Sequence, residues 1–94
     1  MDPDAIEVEL LGVARVLARR ETIPLSVPQP ATLAGVGAAL LGQAPALAGT
    51  VLHPDGTLRP GYAYSRAGKS LLHSPDEPVH PGDRLLLLSI IAGG

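Results

Sequence analysis

The sequence predicts an α+β fold, a mixed sheet crossed on one face by a single main helix. Three observations carry this. Two stretches near the N-terminus alternate apolar and polar residues, a central segment repeats its apolar residues at helical spacing, and an apolar run stands directly before two closing glycines. At 94 residues the chain is one small domain, 1–94, with a tail at 92–94.

Ile6, Val8 and Leu10 share one side of the first strand, and Glu7 and Glu9 share the other. Val13 to Arg20 reads as a connection containing a helical turn, with Val13, Val16 and Leu17 on one face and Arg15, Arg19 and Arg20 in water. Alternation returns over Thr22 to Val27, where Ile23, Leu25 and Val27 point inward. Pro24 lacks a backbone donor, so its nitrogen is expected to face away from a ladder partner.

Pro28 and Pro30 end that strand, and Thr32 is a candidate N-cap. Leu33, Val36, Gly37, Leu40 and Leu41 then recur at helical spacing, which predicts a helix to Gly42 or Gln43 that stops before Pro45. Gly35 and Gly37 each cost about 1 kcal/mol against alanine in a helix interior. Packing must therefore hold this helix, and its small residues would let it sit close to the sheet.

Further on come Val51-Leu52, a turn at Pro54-Asp55-Gly56 and a strand around Tyr62 to Ser65. Gly68 fits the left-handed position of a tight turn before a strand from Lys69 to Leu72. His73 to Pro81 reads as a proline-rich loop, and Pro81-Gly82-Asp83 turns the chain into a last strand, Arg84 to Ile91. A hairpin, one crossing helix and a final strand returning to the first is the β-grasp plan.

Leu85 to Leu88 is apolar on both sides. We assign Leu85 and Leu87 to the core beneath the helix. Leu86 and Leu88 then lie on the open face, with Arg84 near the Glu7 and Glu9 row, and with Ile91 they form an apolar docking patch beside the tail. The alternative buries both faces of this strand within the monomer.

Composition excludes several function classes. Seven Lys plus Arg stand against nine Asp plus Glu, and Tyr62 and Tyr64 are the only aromatics. Nucleic acid would thus find neither a basic stripe nor stacking platforms. No apolar stretch approaches the roughly 20 residues of a bilayer-spanning helix. Met1-Asp2-Pro3-Asp4 is acidic and polar, the opposite of a secretory signal, so a cytoplasmic location is expected. Cysteine is absent, which removes disulfides, thiolate metal sites and a cysteine nucleophile.

His53, His73 and His80 fall in loops or at their edges, and none has the i, i+4 spacing of a helical zinc pair. Asp55, Asp76 and Glu77 read as turn carboxylates. Gly35-Val36-Gly37 is no phosphate loop, because no strand directly precedes it and no Lys-Ser/Thr follows. The serines lack a nucleophile elbow. The chain is expected to be no enzyme by itself and to bind no metal or cofactor. Its reactive part is the tail: a glycyl carboxylate with no side chain near its carbonyl meets little resistance inside another protein's active site. With a pKa of roughly 3.5 it is ionised and a poor electrophile, so it needs activation.

Several segments in order carry a family resemblance. They are Val8-Glu9-Leu10-Leu11-Gly12 with Ala14-Arg15, Pro30-Ala31-Thr32-Leu33 through Gln43-Ala44-Pro45-Ala46-Leu47, Leu58-Arg59-Pro60-Gly61-Tyr62, Pro81-Gly82-Asp83-Arg84 and Ala92-Gly93-Gly94. Together they resemble the MoaD/ThiS group of ubiquitin-like sulfur carriers, most closely the small subunits of molybdopterin synthase. Two places depart from the pattern: Ala67-Gly68 stands where Asn-Gly is common, and Ser89-Ile90-Ile91 where those subunits commonly show proline.

The resemblance implies a ubiquitin-like β-grasp with a flexible Gly-Gly tail. It implies that a ubiquitin-activating-type adenylyltransferase uses ATP to adenylate Gly94, and that a sulfur donor displaces AMP to leave a thiocarboxylate. Gly93 and Ala92 thread the partner's channel. A sulfur-acceptor enzyme such as the large subunit of molybdopterin synthase takes the sulfur, for cofactor or metabolite biosynthesis, molybdopterin foremost. Two alternatives stay open: a ubiquitin-like modifier forming isopeptide bonds through Gly94, and a β-grasp interaction module with an inert tail.

Overall fold

The computed structural model, which describes residues 5–72 and 74–90, turns the N-terminal alternation into a strand with Ile6, Val8 and Leu10 buried. In chain order the elements are β1 (Ala5–Leu10), α1 (Val13–Ala18), β2 (Thr22–Ser26), β3 (Ala31–Thr32), α2 (Leu33–Gln43), a 3₁₀ turn at Pro45–Leu47, β4 (Tyr62–Arg66), β5 (Ser70–Leu72), β6 (Pro78–Val79) and β7 (Arg84–Ser89). The main sheet has the order β2-β1-β7-β4-β5. Its first and last strands, β1 and β7, run parallel, while every other neighbouring pair is antiparallel. This is the expected β-grasp arrangement.

One face of the sheet carries the core, where Val8, Leu10, Ile23, Leu25, Tyr64, Leu85 and Leu87 meet Leu33, Val36 and Leu40 of α2. The prediction for Pro24 holds through register. Glu7 lies opposite Pro24 but donates its N–H to the Asp83 carbonyl on the other side, 3.1 Å away. The Glu7–Pro24 pair is therefore of the non-hydrogen-bonded kind, and the missing donor of Pro24 faces the open edge of the sheet.

Three expectations are corrected, and a fourth, the N-cap, is qualified. In α1 the buried residue is Ala14, with Leu17 and Ala18 packed half-buried against the core, while Val13 and Val16 are 48% and 74% exposed. A helix this short does not choose its own face. Its entry at Gly12 (φ 60) and exit at Arg19 (φ 58) set it. Thr32 does occupy the N-cap of α2, but its side chain makes no cap hydrogen bond. The first amides of α2 are satisfied instead from the proline-rich segment, Leu33 by the Glu77 carbonyl at 3.0 Å and Ala34 by the Pro75 carbonyl at 3.1 Å.

That segment is not all loop, since Pro78–Val79 pairs with Ala31–Thr32 as a second, two-stranded sheet. Lys69 belongs to the turn rather than to β5. It donates to the Arg66 carbonyl at 2.9 Å, with Ala67 (φ 51) and Gly68 (φ 72) between them. Positive φ at both central positions is the mark of a type I′ hairpin turn.

Candidate functional site

The open face of the sheet is built around β7. Arg84, Leu86 and Leu88 alternate there against fully buried Leu85 and Leu87, as the phase of the strand requires. Register supplies the neighbours. Glu7 and Glu9 of β1 lie beside Arg84 and Leu86, and Ser65 and Ala63 of β4 lie beside Leu86 and Leu88. The Arg84 guanidinium donates to Glu7 Oε1 at 2.7 Å, and this bond with the carboxylate's charge raises the arginine's pKa further.

Leu86 and Leu88 are half-buried rather than fully exposed. Ala63 and Ser65, buried at their flank, form a shallow floor between them and β5. Two apolar residues of greater exposure extend the patch, Leu71 at 54% and Ile90 at 45%. Sequence reasoning missed both. The turn at Gly68 held the signal for Leu71, because pairing Arg66 with Ser70 puts Leu71 opposite Ser65. Ile90 follows the parity of Leu86 and Leu88, and its N–H bonds the Gly61 carbonyl at 2.7 Å. Ile91, Ala92, Gly93 and Gly94 lie outside the described residues.

At the opposite end of this face a groove of about 560 Å³ includes Glu7, Glu9, Arg66, Arg84 and Leu86 in its walls. Both of its cations are engaged. Arg84 holds Glu7, while Arg66 donates to the Pro78 carbonyl at 2.6 Å and pairs with Asp83 at 3.4 Å. Arg66 thereby ties the hairpin end to the segment leading into β7.

The remaining polar residues hold turns. His53 accepts from Gly56 at 2.8 Å through its carbonyl, and the Asp55 carboxylate takes both the hydroxyl and the amide of Thr57, which keeps its pKa below the usual range. The backbone N–H of His80 donates to Asp83 Oδ2 at 2.9 Å. His73 lies outside the described residues. Among the described residues no three His, Asp or Glu side chains converge as a metal site. In the core, the Tyr64 hydroxyl is buried without a hydrogen-bond partner among those residues, and burial pushes its pKa well above the ordinary tyrosine range.

No family model and no curated protein matches the chain. Solved structures do. SAMP1 from Haloferax volcanii is 29% identical with a TM-score of 0.81, over 96% of this chain and 99% of that one. A putative molybdopterin converting factor, subunit 1, from Pyrococcus furiosus is 15% identical with a TM-score of 0.73, over 93% of this chain and 98% of that one. Urm1 from Trypanosoma brucei is 22% identical with a TM-score of 0.61, over 97% of this chain and 96% of that one. The last two likenesses speak to fold alone. Parallel first and last strands, one crossing helix and these neighbours define a ubiquitin-like β-grasp protein. In fold the chain is similar to SAMP1 and to the putative molybdopterin converting factor subunit.

Proposed function

We propose that this chain is a sulfur carrier whose C-terminal glycine is activated and loaded by a partner and then delivered to an acceptor enzyme. The observation that carries the reading is the likeness to SAMP1 along nearly the whole chain, joined to a Gly-Gly end just beyond the open-face strand. Leu86, Leu88 and Ile91 dock the partner in this reading, together with Leu71 and Ile90. Ala92 and Gly93 carry Gly94 into its active site.

The chemistry balances without any group from this chain beyond the terminus. A carboxylate oxygen of Gly94 attacks the α-phosphorus of ATP, and pyrophosphate leaves. A donor at the oxidation level of sulfide then attacks the acyl carbon. The C–S bond forms, the C–O bond to AMP breaks, and AMP departs with the electron pair. ATP and sulfur donor are bound by the ubiquitin-activating-type adenylyltransferase. In an enzyme resembling the large subunit of molybdopterin synthase, the thioacid sulfur attacks an electrophilic carbon of the acceptor as that carbon's leaving group departs with its electron pair. Water then cleaves the acyl C–S bond, restoring the Gly94 carboxylate and leaving the sulfur on the acceptor. The setting proposed is cytoplasmic, and among the described residues no helix is long and apolar enough to cross a membrane.

The test is intact mass after incubation with an activating enzyme, ATP and a sulfur donor. A rise of about 16 Da, oxygen replaced by sulfur, is expected on a chain with no cysteine to carry it. No change, with the tail verified intact, would sink the carrier reading. A second reading is favoured by one observation: the same H. volcanii neighbour is called a small archaeal modifier protein. In that reading a lysine amine takes the acyl group of Gly94 and AMP leaves. Thiol-resistant, higher-mass conjugates on immunoblots, absent without Gly94, would support it.

A further inference from the structure

The short helix α1 presents an apolar residue ringed by cations. Val16 is 74% exposed and Val13 48%. A shallow groove of about 320 Å³ is lined by Arg15, Val16, Arg19, Arg20 and Glu21. Three of the chain's seven cations therefore sit on this one element and its exit. Only Arg15 is ion-paired, with Glu21. Arg20 meets a neutral partner, Gln43 Oε1, at 3.2 Å, and Arg19 has no ion pair among the described residues. The patch is thus net positive on a chain whose net charge is −2.

We propose that this face of α1 is a docking surface, distinct from the open face of the sheet, for an acidic segment of a partner protein that carries an aliphatic anchor. The anchor covers Val16, and carboxylates on either side of it meet Arg19 and Arg20. Apolar centre and charged rim is the anatomy of a protein-binding patch. Opposite charge at such a rim steers the encounter and selects the partner. The groove is lined by Arg15, Val16, Arg19, Arg20 and Glu21, with no aromatic for a base to stack on, so a peptide fits better than a nucleic acid.

Arg19 adds a backbone argument. It holds the left-handed C-cap (φ 58), a position where glycine, having no Cβ, is the low-energy choice, so a long cation stands where glycine would relax the chain. Position matters as well. The Leu11 N–H bonds the Leu87 carbonyl at 3.1 Å, and α1 contacts β7, so the patch lies at the end of the sheet where β7 finishes. The proposal does not depend on what happens at Gly94.

The experiment is a titration of the ¹⁵N-labelled full chain with a synthetic peptide, Glu-Leu-Glu-Asp-Leu-Glu, and with its Gln/Asn counterpart, followed by amide shifts. Saturable shifts confined to residues 13–21 are expected with the acidic peptide only, fading as added salt screens the charges. Arg19→Glu and Val16→Asp should each weaken binding by about tenfold, while Lys69→Glu, a charge reversal of the same size in the exposed hairpin turn, leaves it unchanged. Thermal melts confirm that these surface variants stay folded. Absence of shifts, shifts on the open face, or equal binding of the amide peptide would overturn the proposal. So would stronger shifts of the same residues with a short single-stranded RNA, or concentration-dependent shifts there in the peptide-free protein, which would mean that a second copy covers the patch.

Discussion

Gly37 and Gly56 meet backbone to backbone: a Cβ on Gly37 would stand 1.7 Å from the Gly56 carbonyl oxygen. The reverse contact is nearly as tight, since a Cβ on Gly56 would lie 2.5 Å from the Ala38 nitrogen, and Gly56 also takes φ 92. The small residues of α2 thus do permit close approach, but the surface approached is the 53–57 turn rather than the sheet. Gly35 has only an ordinary contact, 3.5 Å from a Val27 methyl.

Gly37→Ala should therefore destabilise the fold by about 3 kcal/mol, because backbone on both sides cannot yield and overpacking outweighs the gain in helix propensity. Gly42→Ala, where nothing lies within 4 Å, should stabilise by about 0.5–1 kcal/mol through propensity and a less flexible unfolded chain. Urea melts of the two variants measure this. A Gly37→Ala midpoint at or above wild type would show that the contact does not form.

The two faces of β7 can be tested with adjacent residues. Leu87 is fully buried between Leu10 and Tyr64 in register, so Leu87→Ala should cost about 2–5 kcal/mol through lost burial and a residual cavity. Leu86→Arg keeps its charged end in water on the open face beside Glu9, and should cost about 1 kcal/mol or less. Partner titrations should move the opposite way, with Leu86→Arg weakening binding and Leu87→Ala, where folded, retaining it. A folded Leu86→Arg that binds the proposed activating partner as wild type does would remove the open face from docking.

Gly93→Val tests the tail as a thread. A β-branched side chain next to the proposed reacting carboxylate should leave the unfolding free energy within about 0.5 kcal/mol of wild type, yet block adenylation where backbone must pass closely. Pyrophosphate release with the activating enzyme reads the rate. Wild-type rates in this variant would mean that the partner has no narrow channel.

What was legible in the sequence followed from how directly each pattern records burial. Ile6, Val8 and Leu10 show a strand with one buried face because period two against Glu7 and Glu9 leaves only that reading, whereas Leu85 to Leu88, apolar on both sides, left two readings open. The turns at Gly56 and Gly82 were legible because Asp and Gly chemistry is local, and both glycines take positive φ. The ladder between Ala31–Thr32 and Pro78–Val79 was not, since two residues have no period and one of them is proline. Nor was the outward turn of Val16, which the two ends of α1 impose. At the candidate site, the parity of Leu86 and Leu88 was readable from Arg84. Their half-burial was not, because it depends on Ser65 and Ala63, neighbours only through pairing with a strand distant in sequence.

Tyr64 links the core to alkaline pH. Its ring is 1% exposed, opposite Leu87 and Leu72, and its hydroxyl has no partner among the described residues. Burial disfavours the phenolate, so the folded pKa lies above the ordinary value of 10.0 that the unfolded chain approaches. Below about pH 10 both states keep the proton and the contribution to stability is complete. Above that the unfolded chain loses its proton first, and stability falls as pH rises towards the folded pKa. Tyr64→Phe removes this dependence. The variant should match or exceed wild type by about 1 kcal/mol near neutral pH, where it deletes an unsatisfied buried hydroxyl. Its advantage should widen by about 1.4 kcal/mol for each pH unit above the unfolded tyrosine's pKa. Denaturant melts of both proteins at about pH 8 and about pH 11 give the comparison. Parallel losses with pH would mean that the Tyr64 hydroxyl ionises in the folded state as readily as in the unfolded chain.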